Sequence, residues 1–238
     1  MSTSPSPKKS RCTYHSRAES PFQDFLPSAT LNAQCGFPTP PTPHQAMPRP
    51  IQPISTPASL SVATPRPLIP LDLSLLHSPP VADGWNSFIG AIRTRTIVDQ
   101  GTLEFAVCRV AVLTDAIYEW NAHAPLALKG GIKPEELHAC RTIPSTIEGD
   151  LSQLESSPLT PQQQAVLRYT DQMTVTVKVQ DEVFAQLKTV GYNDREIVEL
   201  TTGIAGYNCV SRVLVALDVG ENNAREMKSV DQLVAELK

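Results

Sequence analysis

Residues 103–123, LEFAVCRVAVLTDAIYEWNAH, decide how the rest of the chain is read. Apolar side chains recur at Leu103, Ala106, Val107, Val110 and Leu113. That 3.6-residue period predicts a helix with one buried face, and Glu104 and Cys108, four apart, lie off its centre. A second helix is expected over about residues 115–129. Thr114 suits its N-cap, Asp115 suits the positive end of its dipole, and Gly130-Gly131 closes it. On this second helix Glu119 and His123 are four apart, one turn along the same face. Packed against each other, the two helices bring three proton-transfer groups, Glu104, Glu119 and His123, toward one pocket.

Outward from this hairpin the composition divides the chain of 238 residues. Seventeen of the 22 prolines fall in residues 1–80, and residues 1–64 are rich in Pro, Ser and Thr with few long apolar side chains. Such a segment buries too little surface to order itself, so residues 1–64 are expected to be disordered. A tether is the plain reading of it, and a polyproline ligand for a partner domain is the functional one. Residues 1–80 carry six Lys/Arg against three Asp/Glu. With a total of −4, the other 158 residues carry −7. An acidic domain without a basic run argues against nucleic acid as the main partner. No apolar run reaches the ~18–20 residues of a membrane-spanning helix. The basic, serine-rich first 18 residues faintly resemble a transit peptide, which keeps a mitochondrial address open beside a cytoplasmic one. The five cysteines are odd in number and none forms a Cys-x-x-Cys pair, which suits a reducing compartment and thiols used as small core residues. Their spacing and the scattered histidines support no zinc site, and no cofactor site is expected.

Beyond the prolines, the pattern is helical. Residues 68–80, LIPLDLSLLHSPP, read as an apolar lead-in broken by Pro79-Pro80. Asp83 is expected to cap a helix with Trp85, Phe88, Ile89, Ile92 and Thr96 on its buried stripe, and residues 99–101 read as a turn. Pro134 followed by Glu135 and Glu136 starts a short helix, and residues 141–158 read as a surface loop. Thr160 with Gln163, and Asn193 with Glu196, are capping boxes. Residues 173–179, MTVTVKV, alternate like a strand but read here as a frayed helix end. A helix over residues 181–189 follows, with Phe184 and Leu187 buried and Gly191 closing it. The last long helix, to about residue 218, carries Gly203, Ala205 and Gly206 in its middle. Glycine there costs about 1 kcal/mol against alanine, so a close neighbour, a helix or a second subunit, is expected. Residues 229–238 form an amphipathic tail. The domain over residues 68–238 is therefore all-α, with six or seven helices. It has no phosphate-binding glycine loop, nucleophile elbow or His-Glu-x-x-His motif.

Glu104, then Tyr118-Glu119-Trp120 and His123, then GGIKPEEL at 130–137, resemble the carboxymuconolactone decarboxylase and alkylhydroperoxidase D-like superfamily. GYNDREIVELTTGIAGYNCVSRVLVALDVG at 191–220 is similar to that family's last long helix. The resemblance covers roughly residues 68–220. It implies a helical bundle of the alkylhydroperoxidase D-like type that assembles as a trimer or hexamer. The peroxidase branch keeps a Cys-x-x-Cys pair where this chain has Ala116 and Glu119, so no disulfide cycle can run at those positions.

The resemblance then implies the decarboxylase branch, a cofactor-independent lyase acting on a carboxylated lactone or an aromatic or polyketide-derived acid. Its implied catalytic residues are Glu104, Glu119 and His123. Histidine titrates near neutrality as a class, so His123 is the expected proton donor and Glu104 its orienting partner. Glu119 shares the proton or pairs with a cation outside the pocket. A small carboxylic acid needs cationic anchors, and Arg93, Arg95, Arg109 and Lys129 are the candidates. Tyr118 and Tyr207 are candidate pocket walls, Trp120 core or interface, His138 surface, and Cys108 buried packing. The rival readings are a thiol peroxidase of the same superfamily and a non-catalytic oligomeric module.

Overall fold

A computed structural model describes residues 67–147 and 151–238. The disorder expected for residues 1–64 lies outside the described residues. Ten α-helices and one π-helical turn occur, with no strand among the described residues. They are α1 (Pro70–Leu75), α2 (Pro79–Arg95), α3 (Gln100–Leu113), α4 (Ile117–Lys129), α5 (Pro134–Thr142), α6 (Ser152–Glu155), α7 (Pro161–Asp171), the π turn (Gln172–Thr176), α8 (Asp181–Thr189), α9 (Asp194–Ala216) and α10 (Val230–Glu236). The chain is all-α as expected. The larger helix count comes from the short α1 and α6, which sequence periodicity does not detect, and from the tail, which forms α10.

Helix α3 is the axis of the bundle. Every residue from 103 to 111 is buried, so it has no solvent face and the single stripe read from the sequence understates its burial. Helices α4, α5, α7 and α9 pack around it. Residues 99–101 are not a free turn. Asp99 caps α3, its Oδ2 accepting from the Thr102 N–H at 2.8 Å. Likewise α2 begins at Pro79 rather than near Asp83. Proline at the first helical positions costs nothing, because the N–H it lacks has no intrahelical partner there.

The predicted capping boxes form. The Thr160 N–H reaches Gln163 Oε1 at 2.8 Å, and the Asn193 N–H reaches Glu196 Oε2 at 2.9 Å. Ser229 and Gln232 add a third at α10. After α8, Gly191 takes φ +105° and the Tyr192 N–H returns to the Leu187 carbonyl, the hydrogen bond of a glycine-ended helix. The β-branched run after α7 becomes the π turn and then Val177 at φ +63°, a backbone region that a β-branched residue rarely adopts. Within the expected loop 141–158, Ile143 and Leu154 are buried, so that segment is packed rather than merely superficial. Phe184 is not buried as expected but exposed, while Leu187 is fully enclosed.

The mid-helix glycines of α9 serve close packing within the chain. A Cβ on Gly203 would lie 2.6 Å from Leu103 Cδ1, and one on Gly206 would lie 3.0 Å from Ile92 Cδ1. The neighbours are therefore α3 and α2. These contacts belong to a small second core of Ile92, Val98, Leu103, Val107, Tyr207, Val210, Leu214 and Val219, distinct from the main core on the other side of α3. No helix among the described residues is long and apolar enough to cross a membrane.

Candidate functional site

The start of α3 and the end of α4 touch through two glycines. A Cβ on Gly101 would collide with the Gly130 carbonyl oxygen, and a Cβ on Gly130 would lie 2.8 Å from the Gly101 Cα. Gly131, at φ +97°, turns the chain away just beyond this seam. One turn into α3 from the seam stands Glu104, and two turns before it on α4 stands His123. Their side chains meet, with His123 Nδ1 2.6 Å from Glu104 Oε2. Both groups are about nine-tenths enclosed, at 12% and 8% side-chain exposure, so bulk water competes weakly for the bond. With the proton on Nδ1, that nitrogen donates to Glu104 Oε2, and Nε2 is the ring nitrogen free of Glu104. Tyr207 of α9 stands edge-on to the imidazole, with centroids 4.8 Å apart and planes at 80°. Two residues past His123, Pro125 interrupts α4 and leaves the Asn121 carbonyl without its usual helical donor.

Glu119 is placed differently from either expected role. It is 1% exposed, and neither carboxyl oxygen has a hydrogen-bond partner. It therefore pairs with no cation outside the pocket. Burial, and then the charge of Glu104, push its carboxyl well above the usual carboxylate range, which favours its neutral form. Cys108, one turn along α3 from Glu104, is fully buried as expected. Burial, with Cys140, Glu104 and Glu119 nearby, raises its thiol well above the ordinary value. Burial pushes the Cys140 thiol up to about 12. Neither sulfur is a ready thiolate. The third described cysteine, Cys209, is exposed.

Two adjoining cavities meet at this pair. One, of about 580 Å³, is lined by Glu104, and the other, of about 170 Å³, by His123 and Tyr207. They share the wall formed by Ile69, Leu71, Trp85, Ile89, Arg93 and Leu126. Of the four candidate anchors, Arg93 lines both cavities and Lys129 lines the larger, while Arg95 lines neither.

Arg109 is excluded from that role by its surroundings. Its guanidinium is fork-bonded to Asp171 at 2.6 and 2.9 Å, and it donates to the carbonyls of Cys140, Ile143 and Pro144. Burial alone would lower its pKa, but the Asp171 hydrogen bond and charge outweigh this, and the group is held above its usual value. Arg109 ties α3 to α7 and to the end of α5. Trp120 is core, its Nε1–H donating to the Lys228 carbonyl at 2.9 Å, and His138 is exposed.

Trp85, Ile89 and Arg93 recur every four residues on α2, and that spacing is the sequence signal for this wall. A core stripe is the ordinary reading of the first two, which hid their place beside a cavity. Val210 and Leu214 of α9 gave no separate signal. Among the described residues no three His, Cys, Asp or Glu side chains are grouped to hold a metal ion.

No protein-family model matches the chain, and no curated protein matches it. Solved structures do. An uncharacterised peroxidase-related protein from Silicibacter sp. aligns at TM-score 0.53 and 14% identity, over 65% of this chain and 78% of that one. An alkylhydroperoxidase AhpD core protein from Ralstonia eutropha, also described as peroxidase-related, aligns at TM-score 0.53 and 16% identity, over 69% and 78%. A protein of unknown function from Agrobacterium tumefaciens, described as a putative antioxidant defence protein AhpD, aligns at 0.50 and 16%, over 61% and 92%. At such identities the likeness is one of fold. The chain has the alkylhydroperoxidase D-like fold.

Proposed function

We propose that the protein is a cofactor-independent carboxy-lyase whose reacting centre is the Glu104–His123 pair. The observation that carries this reading is the 2.6 Å hydrogen bond between the two side chains at the margin of a sheltered cavity. Decarboxylation of an acid with a conjugated carbonyl breaks the bond from carbon to the carboxylate. Carbon dioxide leaves, and the electron pair moves onto the carbonyl as an enolate. Delivery of a proton to carbon then completes the product. His123 supplies that proton from Nε2, Glu104 steadies the cationic ring through Nδ1, and solvent returns the proton afterwards. The net change is one proton consumed and one carbon dioxide released. Burial favours the neutral form of Glu119, which then adds no second negative charge beside Glu104 and keeps the pocket favourable to an anion.

The peroxidase-related descriptions belong to the structural neighbours. A thiol peroxidase needs a reactive thiolate with a resolving partner, and buried Cys108 and Cys140 with raised thiol pKa values do not supply one. The reading is tested by carbon dioxide release from conjugated keto and lactone acids by wild type and His123→Ala. Release lost in the variant supports it, and equal release removes His123 from the mechanism. Reversible formation of a disulfide under peroxide would favour the peroxidase reading instead. Assembly as a homo-oligomer belongs to the same proposal. Leu73, Leu76, Val81 and Phe88, exposed on α1 and α2 or just beyond, agree with it.

A further inference from the structure

The two cavities at the Glu104–His123 pair differ in character, and the difference selects a class of substrate. On the His123 side the walls are Trp85, Ile89, Tyr207, Val210 and Leu214, and Arg93 is the one Lys or Arg lining that cavity among the described residues. On the Glu104 side the lining is more polar, with Arg93, Lys129, Asn86, Thr94 and Gln100 beside the carboxyls of Asp72 and Glu104. A body with two or three carboxylates pushed toward His123 would meet one cation, and the other charges would lose water without a partner. Unpaired charge in such surroundings is heavily disfavoured. An apolar body meets the opposite situation. A closed apolar cavity of ~150 Å³ is large enough for benzene, so about 170 Å³ holds one ring with a few further atoms. Trp85 and Tyr207 offer that ring aromatic neighbours.

We infer that the site takes a monocarboxylic acid with an aromatic or compact apolar body. The body lies against Tyr207 and Trp85 beside His123, and the carboxylate lies on Arg93 where the two cavities join. The inference rests on the reading of Glu104–His123 as the reacting centre, and of the acids implied by the sequence resemblance it keeps the aromatic one, as a single anion, over the carboxylated lactone. Arg93 and Trp85 become specificity determinants, one for charge and one for shape.

The test is binding to the full chain by isothermal titration calorimetry, with three probes: trans-cinnamate, its neutral amide, and tricarballylate. Cinnamate is expected to bind, and the amide to bind about tenfold more weakly or worse, the loss that follows when a charge-assisted contact disappears. Arg93→Gln should bring cinnamate down to the level of the amide. Ala122→Phe, at an exposed position on the rim of the His123-side cavity, should weaken cinnamate by obstructing entry without touching the core. The helical circular dichroism of both variants is expected to match wild type. Tricarballylate binding as tightly as cinnamate, cinnamate affinity indifferent to both substitutions, or no cinnamate binding would each overturn the inference. Arg93-dependent binding of cinnamate with no carbon dioxide released from any acid would leave this assignment standing and remove the lyase reading. Carbon dioxide released from polycarboxylates alone would do the reverse.

Discussion

Glu104 and Glu119 carry the same functional group on neighbouring helices, and their surroundings give them different work. Glu104 is hydrogen-bonded to His123, while Glu119 has no partner and burial favours its neutral form. His123→Ala is expected to lower turnover by about 10²–10⁴-fold, the range for losing a general acid. Glu104→Gln should lower it by about 10²-fold, since the amide still orients the ring but does not stabilise its cation. Steady-state kinetics with a responsive acid measures both. For Glu119 the prediction concerns stability and pH. Its folded pKa lies above the unfolded one, so its share of stability is complete below the unfolded carboxylate value. That share is lost as pH rises toward the folded value, because the unfolded chain then releases a proton that the folded chain keeps. Glu119→Gln removes this dependence. Its melting temperature should match wild type near pH 4 and exceed it by several degrees near pH 8. Parallel thermal-melt profiles across that window would show that Glu119 ionises normally in the folded state. Only part of this was legible in the sequence. The spacing of Glu104, Glu119 and His123 announced their grouping, but the absence of a partner for Glu119 depends on side chains from other helices.

At the scale of elements, the site depends on how closely α3 and α4 approach. Gly101 faces the Gly130 backbone oxygen, which cannot move aside as a side chain can, so Gly101→Ala must part the helix ends. A loss of about 1–3 kcal/mol in urea unfolding is expected, together with reduced turnover because Glu104 sits one turn away. Gly203→Ala should cost less. Its obstacle is the movable end of Leu103, and alanine regains about 1 kcal/mol of helix propensity. Arg109→Leu leaves Asp171 buried without its cation and should cost about 3–5 kcal/mol in the same measurement. Most helices were readable from the sequence because their ends carry local chemistry, such as Thr160 with Gln163 or Asn193 with Glu196. Arg109 was misread as an anchor because Asp171, 62 residues away in sequence, gives no local sign of pairing with it. Pro79-Pro80 does separate the lead-in helix α1 from α2, but its place as the start of α2 was missed, because the same residues end one helix and open another.

For the whole molecule, α3 divides a larger core from a smaller one, and the cavities open on the smaller side. The smaller core relies on glycines in α9 to admit α2 and α3. The small-residue signal in the sequence was thus correct about a close neighbour, and its answer lies within the chain. The proposed association with further copies would use instead the exposed apolar side chains of the α1–α2 region. Light scattering on the full chain should give a mass several times 25.9 kDa, and a monomeric mass would contradict the oligomer proposal. The account depends most on proton transfer by the buried pair. Carbon dioxide evolution from a panel of conjugated aryl keto acids, measured side by side for wild type, Glu104→Gln and His123→Ala, tests it most directly. The account predicts release by wild type and its near-complete loss in both variants. No release by any form, or undiminished release without the imidazole, would contradict it.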